Sequence, residues 1–196
     1  MEQTFQDFEW LVEVGTRNHD LNRAYNRMLK RARGELIVSV QDFIKFPPDY
    51  LQKWWDAYEN NPGTFMTAPV GKVDNLDYTG DIRWDWRAFR MNDTDTVRDC
   101  SWDCWEIDSA AAPLTLLKEI GGFDEALDSH WSCDNVNVGK RAALAGYTFK
   151  CIFDNPAVAY DHDAHIPHPF RKDYDPSFNN KRMAMFEGGM KLDSLY

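Results

Sequence analysis

Ile120-Gly121-Gly122-Phe123-Asp124-Glu125, followed by Trp131-Ser132-Cys133-Asp134, is the stretch of this 196-residue chain that decides its fold. Two consecutive glycines reach the left-handed backbone that ends a helix. Residues 113–120 are therefore expected to be helical and to stop at Gly121 and Gly122. Phe123 can then fold back onto the core. Asp134 stands just ahead of a second helical segment, 136–145, where free backbone N–H groups favour a carboxylate.

Upstream, Leu21, Ala24, Tyr25, Met28, Leu29 and Ala32 recur at helical spacing, with Arg23, Arg27, Lys30 and Arg31 on the other face, so 21–33 is an amphipathic helix that Gly34 ends. Residues 36–40 form an apolar, β-branched run of the kind found in a buried parallel strand. Pro47-Pro48-Asp49 opens a helix carrying Trp54 and Trp55, and Asn60 to Gly63 stops it. With strands at 8–14 and 64–70 the order is βαβαβ. This predicts an α/β domain over 1–196, a mixed and mostly parallel sheet flanked by helices. The 71–104 stretch breaks the rhythm: it is polar, acidic and aromatic, and a loop of that length is usually functional or mobile. Strands at 105–111, 147–153 and 157–160 and a short amphipathic piece at 182–186 complete the reading.

Hydrophobic residues make up 43% of the chain, enough for a core, and the 14% aromatic content includes 8 Trp. Many of these aromatics fall in polar segments, which suggests surfaces that stack on sugars and bases. The net charge of −10 disfavours nucleic acid or an anionic membrane as partner, while leaving room for a nucleotide whose phosphates a cation neutralises. There is no apolar run long enough for a membrane span and no signal peptide at the start. Cys100, Cys104, Cys133 and Cys151 are read as reduced thiols of a cytoplasmic protein. The C-x₃-C pair lacks the two further ligands a zinc knuckle needs.

The 120–134 block resembles the "GGFDE…W…ED…R…G" block of family 2 glycosyltransferases, which have the Rossmann-like GT-A fold. Ala32-Arg33-Gly34-Glu35-Leu36-Ile37-Val38-Ser39-Val40-Gln41-Asp42-Phe43 is similar to that family's stretch leading to its metal-binding acids. Asn26 in the first helix and Pro48-Asp49-Tyr50-Leu51 match it as well. The resemblance implies an inverting transfer of a sugar from a nucleotide-diphosphate sugar to an acceptor hydroxyl of a glycan or other molecule. It assigns Asp134 as the general base, although Cys133 replaces the preceding family Glu. It implies a divalent cation, Mn²⁺ or Mg²⁺, on the donor diphosphate. Asp42 lies past a strand's carboxyl end, where ligands bind in open α/β sheets, and is the implied metal ligand; Gln41 and Phe43 replace its flanking acids. Val158-Ala159-Tyr160-Asp161-His162 resembles the late strand whose His completes the metal site, and an imidazole in the set suits Mn²⁺ better. Gln41, Asp108, Ser109 and Arg141 are implied donor contacts, with orientation of the catalytic acid as the alternative for Arg141. Trp131 and Trp105 are candidates for stacking on the acceptor sugar, with core packing as the alternative. Asp42 as a turn acid and Asp134 as a helix cap are the plain alternatives.

The chain departs from the family at its start. The family opens with a strand–helix unit that holds the nucleotide base, and this chain reads as N-terminally shortened, with Glu13-Val14-Gly15 where the base- and ribose-binding acids would stand. A first strand left unpaired favours a partner chain or a homo-oligomer. A non-catalytic glycan- or nucleotide-binding relic of the fold is the second reading. A hydrolase using His162, His165 and His168 on zinc is the third, although Pro167 and Pro169 disfavour a helical ligand arrangement.

Overall fold

The first helix, α1 (Leu21–Arg31), forms where the spacing places it and buries Tyr25, Asn26 and Leu29. Asp20 at its start makes no side-chain cap. The cap comes from 106 residues away, where the Asp128 carboxylate accepts the Asn22 N–H at 2.9 Å. The computed structural model describes residues 2–14, 20–90, 96–128, 134–161 and 176–196. Along the chain follow β1 (Leu36–Val40), β2 (Ile44–Lys45), α2 (Tyr50–Asn60), β3 (Thr64–Thr67), β4 (Val70–Val73), β5 (Arg83–Trp84) and β6 (Val97–Asp99). Then come β7 (Ser109–Pro113), α3 (Leu114–Glu119), α4 (Asp134–Leu144), β8 (Thr148–Ile152), β9 (Ala157–Tyr160) and α5 (Pro176–Glu187).

Two sheets result, a five-stranded one in the order β1-β7-β3-β8-β6 and a four-stranded one in the order β2-β9-β4-β5. The α/β class is as expected, but strand direction corrects the mostly parallel reading. Among the described residues only β3–β8 and β4–β9 are parallel, and the other pairings are antiparallel. The apolar run of β1 signals burial, and burial does not encode direction; β1 lies at one edge of the described sheet and runs antiparallel to β7.

Residues 8–14 form no strand. Their alternation is explained by ion pairs: Glu9 holds Arg33, and Glu13 holds Arg27 and Arg31. Val12 and Val14, at 72% and 82% exposure, face solvent. The 71–104 stretch is also more structured than a loop, since it includes most of β4 and all of β5 and β6.

The opening motif behaves as its glycines require. Gly121 and Gly122 have φ of +83° and +64°. Their N–H groups close α3 by donating to the Lys118 and Leu117 carbonyls at 3.1 and 2.8 Å, the double bond pattern of a Schellman cap. Phe123 does fold back, stacking on Tyr25 with ring centroids 4.4 Å apart. Asn26 brackets Phe123 by accepting its N–H at 2.8 Å and donating to its carbonyl at 2.9 Å. One core packs around Phe65, Trp105, Phe123 and Val138, and a second around Tyr50, Trp54 and Met66 on the other side of the main sheet.

Candidate active site

Chemistry-bearing residues converge where β1 and β3 end and β7 begins. Thr67 closes β3, and the chain crosses to the second sheet through Ala68 and Pro69 to Val70. The Arg87 side chain, 2% exposed, sits at this crossing. Its Nη1 donates to Thr67 Oγ1 at 2.7 Å, its Nε to Asp85 Oδ2 at 2.9 Å and its Nη2 to Asp108 Oδ1 at 3.1 Å. Asp85 Oδ2 also accepts the Val70 N–H at 2.9 Å. One guanidinium thus joins β3, β4, the end of β5 and the start of β7. Burial alone would lower its pKa; the carboxylates of Asp108 and Asp85 outweigh that and raise it, so it stays charged.

Glu106 lies beside this knot. Asn135, the second residue of α4, donates its side-chain N–H to Glu106 Oε2 at 2.7 Å and to the Trp105 carbonyl at 3.3 Å. The amino end of α4, and with it the position of Asp134, is therefore pinned at the same sheet edge. Burial pushes the Glu106 carboxyl up to about 7; Arg87 pulls it down, and Asp108 and Asp85 push it up. Its ordinary value is 4.5. Between those values the folded chain retains a proton that the unfolded chain has released, so stability falls as pH rises through that window. Glu106→Gln keeps the acceptor for Asn135 and removes the titration. It is expected to be more stable than the parent at pH 8 by on the order of 2 kcal/mol, with little difference at pH 4.5. Urea unfolding at both pH values checks this, and an unchanged difference between them would contradict it.

Asp42 is exposed in the turn between β1 and β2, closed by the Ile44 N–H on the Gln41 carbonyl at 3.1 Å. Two contacts fix this turn through the Phe43 carbonyl: the Tyr160 N–H at 3.0 Å and the Tyr78 hydroxyl at 3.0 Å. The first ties the end of β9 to the turn. Tyr78 has φ of +62°, a conformation costly for a bulky residue and concentrated at functional sites. Asp161, next after β9, accepts from Arg83 at 2.8 Å.

Three candidate residues are used differently from the sequence reading. Trp105 is 2% exposed and packs edge-on to Phe65 with centroids 5.7 Å apart, so it takes the core alternative and offers no stacking face. Ser109 is fully buried, and its hydroxyl meets the Tyr50 hydroxyl at 2.9 Å. The Arg141 guanidinium, 6% exposed by residue, donates to the Ile120 and Gly122 carbonyls at 2.5 Å each and caps α3 instead of facing a phosphate. Asp108 and Gln41 stay half-buried at the site. Trp131, His162, His165 and His168 lie outside the described residues, as does the side chain of Asp134. Among the described residues no three His, Cys, Asp or Glu side chains form a metal cluster. Cys100 and Cys104 are free thiols, and no described helix is long and apolar enough to cross a membrane.

No family model matches the sequence. No curated protein matches it either. Solved structures do match in fold. The chain is similar to S. aureus TarS, residues 1–349, in complex with UDP-GlcNAc, with a TM-score of 0.64 and 13% identity over 88% of this chain and 47% of that one. It is also similar to GalNAc-T7, crystallised with UDP, GalNAc and Mn²⁺, with a TM-score of 0.56 and 12% identity over 74% of this chain and 31% of that one. The fold is therefore GT-A-like, the architecture of these glycosyltransferases. The chain spans about a third to a half of the length of these neighbours.

Proposed function

We propose that the chain is a family 2-type glycosyltransferase domain that moves a sugar from a nucleotide-diphosphate sugar to an acceptor hydroxyl with inversion. The observation that carries this reading is the convergence at one sheet edge of the α4 amino end, the Asp85–Arg87–Asp108 knot and the Asp42 turn, on a GT-A-like fold. Asp134 accepts the proton of the acceptor hydroxyl. The hydroxyl oxygen bonds to the anomeric carbon as that carbon's bond to the diphosphate oxygen breaks, and the electron pair leaves with the diphosphate. Trp131 stacks on the acceptor sugar. Asp108, held by Arg87, faces the donor sugar.

Asp42 and His162 are the residues that would hold a Mn²⁺ or Mg²⁺ ion. The Tyr160–Phe43 backbone bond supports the pairing, since it brings the chain to within two residues of His162 beside the Asp42 turn. Such an ion neutralises charge on a leaving diphosphate. Asp42→Ala is expected to abolish the Mn²⁺ dependence of UDP affinity in calorimetry, with the fold intact. An unchanged metal response would make Asp42 a turn residue.

One observation favours the non-catalytic alternative: among the described residues no group of three or more His, Cys, Asp or Glu side chains could hold a metal ion. Incubation with UDP-GlcNAc and UDP-GalNAc, with and without Mn²⁺ and a mixed glycan acceptor pool, separates the two. UDP release that requires acceptor supports transfer. Nucleotide binding with no UDP release supports the relic, and release without acceptor supports a hydrolase.

A further inference from the structure

Among the described residues β1 pairs only with β7, which leaves one side of the strand open. The Glu35 carbonyl accepts the Leu114 N–H at 2.8 Å, and the same antiparallel register sets Ile37 opposite Ala112 and Ser39 opposite Ala110. Hydrogen-bonded pairs alternate along such a ladder. Ile37 and Ser39 therefore turn their N–H and C=O groups toward β7, while Leu36, Val38 and Val40 turn theirs away from the sheet. We propose that this open edge docks an extended, apolar segment of a partner protein, flanked by Lys or Arg, as one further strand of the sheet. This goes beyond sugar transfer and stands independently of it.

The edge lacks the usual protection. Natural edges are guarded by short length, charge, proline or a bulge. The opposite edge of the same sheet follows that rule, since β6 is three residues long and includes Arg98 and Asp99. β1 is five residues, Leu-Ile-Val-Ser-Val, with no charge among them. It is also fixed from both faces. Leu36, Val38 and Val40 pack toward the core around Tyr50 and Trp54, and Ile37 toward the core around Phe65. Ser39 donates its hydroxyl to the Ile107 carbonyl at 2.6 Å. The strand is formed before a partner arrives, so no ordering cost falls on this side.

A groove runs along the open side, lined by Met28 and Leu29 of α1, Leu51 and Trp55 of α2, and Phe8 and Trp10 of the N-terminal segment. The outward N–H and C=O groups recur every second residue, roughly 7 Å apart. An extended backbone has that repeat, and a small apolar ligand would leave these groups unpaired. Apolar residues from helices on both sides of the strand call for an incoming strand that is apolar on both faces.

Charge selects the flanks and disfavours a second copy of this chain. The charged residues lining the groove are Asp7, Glu9 and Glu35, with no Lys or Arg among them. Arg33 engages Glu9 from outside, and Asp7 and Glu35 are exposed. β1 of a second copy would bring its own Glu35 at one end and Asp42 just past the other, on a chain of net charge −10. Like charges would then meet, whereas Lys or Arg flanks are complementary.

The test adds to the whole chain an acetylated, amidated peptide of five valines between paired lysines. Calorimetry reads its affinity, and residue-resolved amide hydrogen exchange reads how it binds. Saturable binding is expected, with exchange at Leu36, Val38 and Val40 slowed by about tenfold or more, and exchange at Ile37 and Ser39, already bonded to β7, slowed less. The same peptide with glutamates in place of lysines should bind about tenfold more weakly. A version with every valine N-methylated should not bind. Val38→Pro removes one outward N–H and no bond to β7, so it should weaken binding about fivefold. If that variant does not fold, Asp7→Lys, at an exposed position, takes its place and should narrow the gap between the lysine and glutamate peptides; an unchanged gap would contradict the proposal. No binding of the lysine peptide at about 1 mM, or binding that leaves the three outward amides exchanging as before, would overturn it. So would a dimeric chain whose outward amides are already protected without peptide, which would assign the edge to a second copy.

Discussion

Asp134→Asn is expected to lower turnover by ~10²–10⁴-fold, the usual contribution of a positioned general base, with UDP affinity unchanged. Asn is nearly isosteric with Asp, so α4 should start at the same place with the same stability. Only proton acceptance is removed. Steady-state rates with saturating donor and acceptor, set beside a calorimetric UDP affinity, check both halves. Retained turnover would take Asp134 out of the base role. The carboxyl to examine next would be Glu106, which Asn135 holds beside the amino end of α4 and whose pKa of about 7 suits acid–base work at neutral pH.

Arg87→Met carries the largest expected effect on stability. The substitution keeps most of the side-chain volume and removes the guanidinium that pairs with both carboxylates, Asp85 and Asp108, at the crossing between sheets. Breaking a buried ion pair from one side costs about 3–5 kcal/mol because a buried charge is left uncompensated. A domain of this size has a total stability of about 5–15 kcal/mol, so the variant should be severely weakened at neutral pH. Adding Asp85→Asn and Asp108→Asn should recover part of the loss, since the remaining groups are then neutral. Urea unfolding of the single and triple variants measures this. A loss under about 1 kcal/mol in Arg87→Met would mean that solvent already screens the acids.

Helices α1 to α4 were legible in the sequence because their signals are local, whereas α5 (Pro176–Glu187) was read only as a short amphipathic piece at 182–186. The 3.6-residue spacing of α1 and the double glycine after α3 need no knowledge of the rest of the chain. β1, β3, β8 and β9 were legible as strands but not in their direction or partners, which depend on where the chain returns; β2, β5 and β6 were not read as strands. Residues 8–14 show the limit: alternation of apolar residues with Glu9 and Glu13 reads as a strand, yet it arises from ion pairs to the arginines of α1 and to Arg33.

The site divides in the same way. The position of Asp42 at a strand end was readable, and so was that of Asp134 at a helix start. Arg87 and Glu106 were missed, since nothing in Asp85-Trp86-Arg87 says that the guanidinium will meet Thr67 and Asp108. A buried ion-pair knot joins segments far apart in sequence and leaves no periodic trace. Arg141 was readable as a helix arginine, but its targets, the Ile120 and Gly122 carbonyls, are defined only once α4 packs against the end of α3. Trp105 and Trp84 have the same side chain, and only packing makes one a core residue and the other a surface one.

Titration of the purified chain with UDP, GDP and dTDP by calorimetry, with and without Mn²⁺, tests the donor role most directly. A nucleotide-sugar transferase should bind one of the three, and bind it more tightly with Mn²⁺. No binding of any nucleotide under either condition would contradict a working donor site and leave this chain a GT-A-like fold without the transfer reaction.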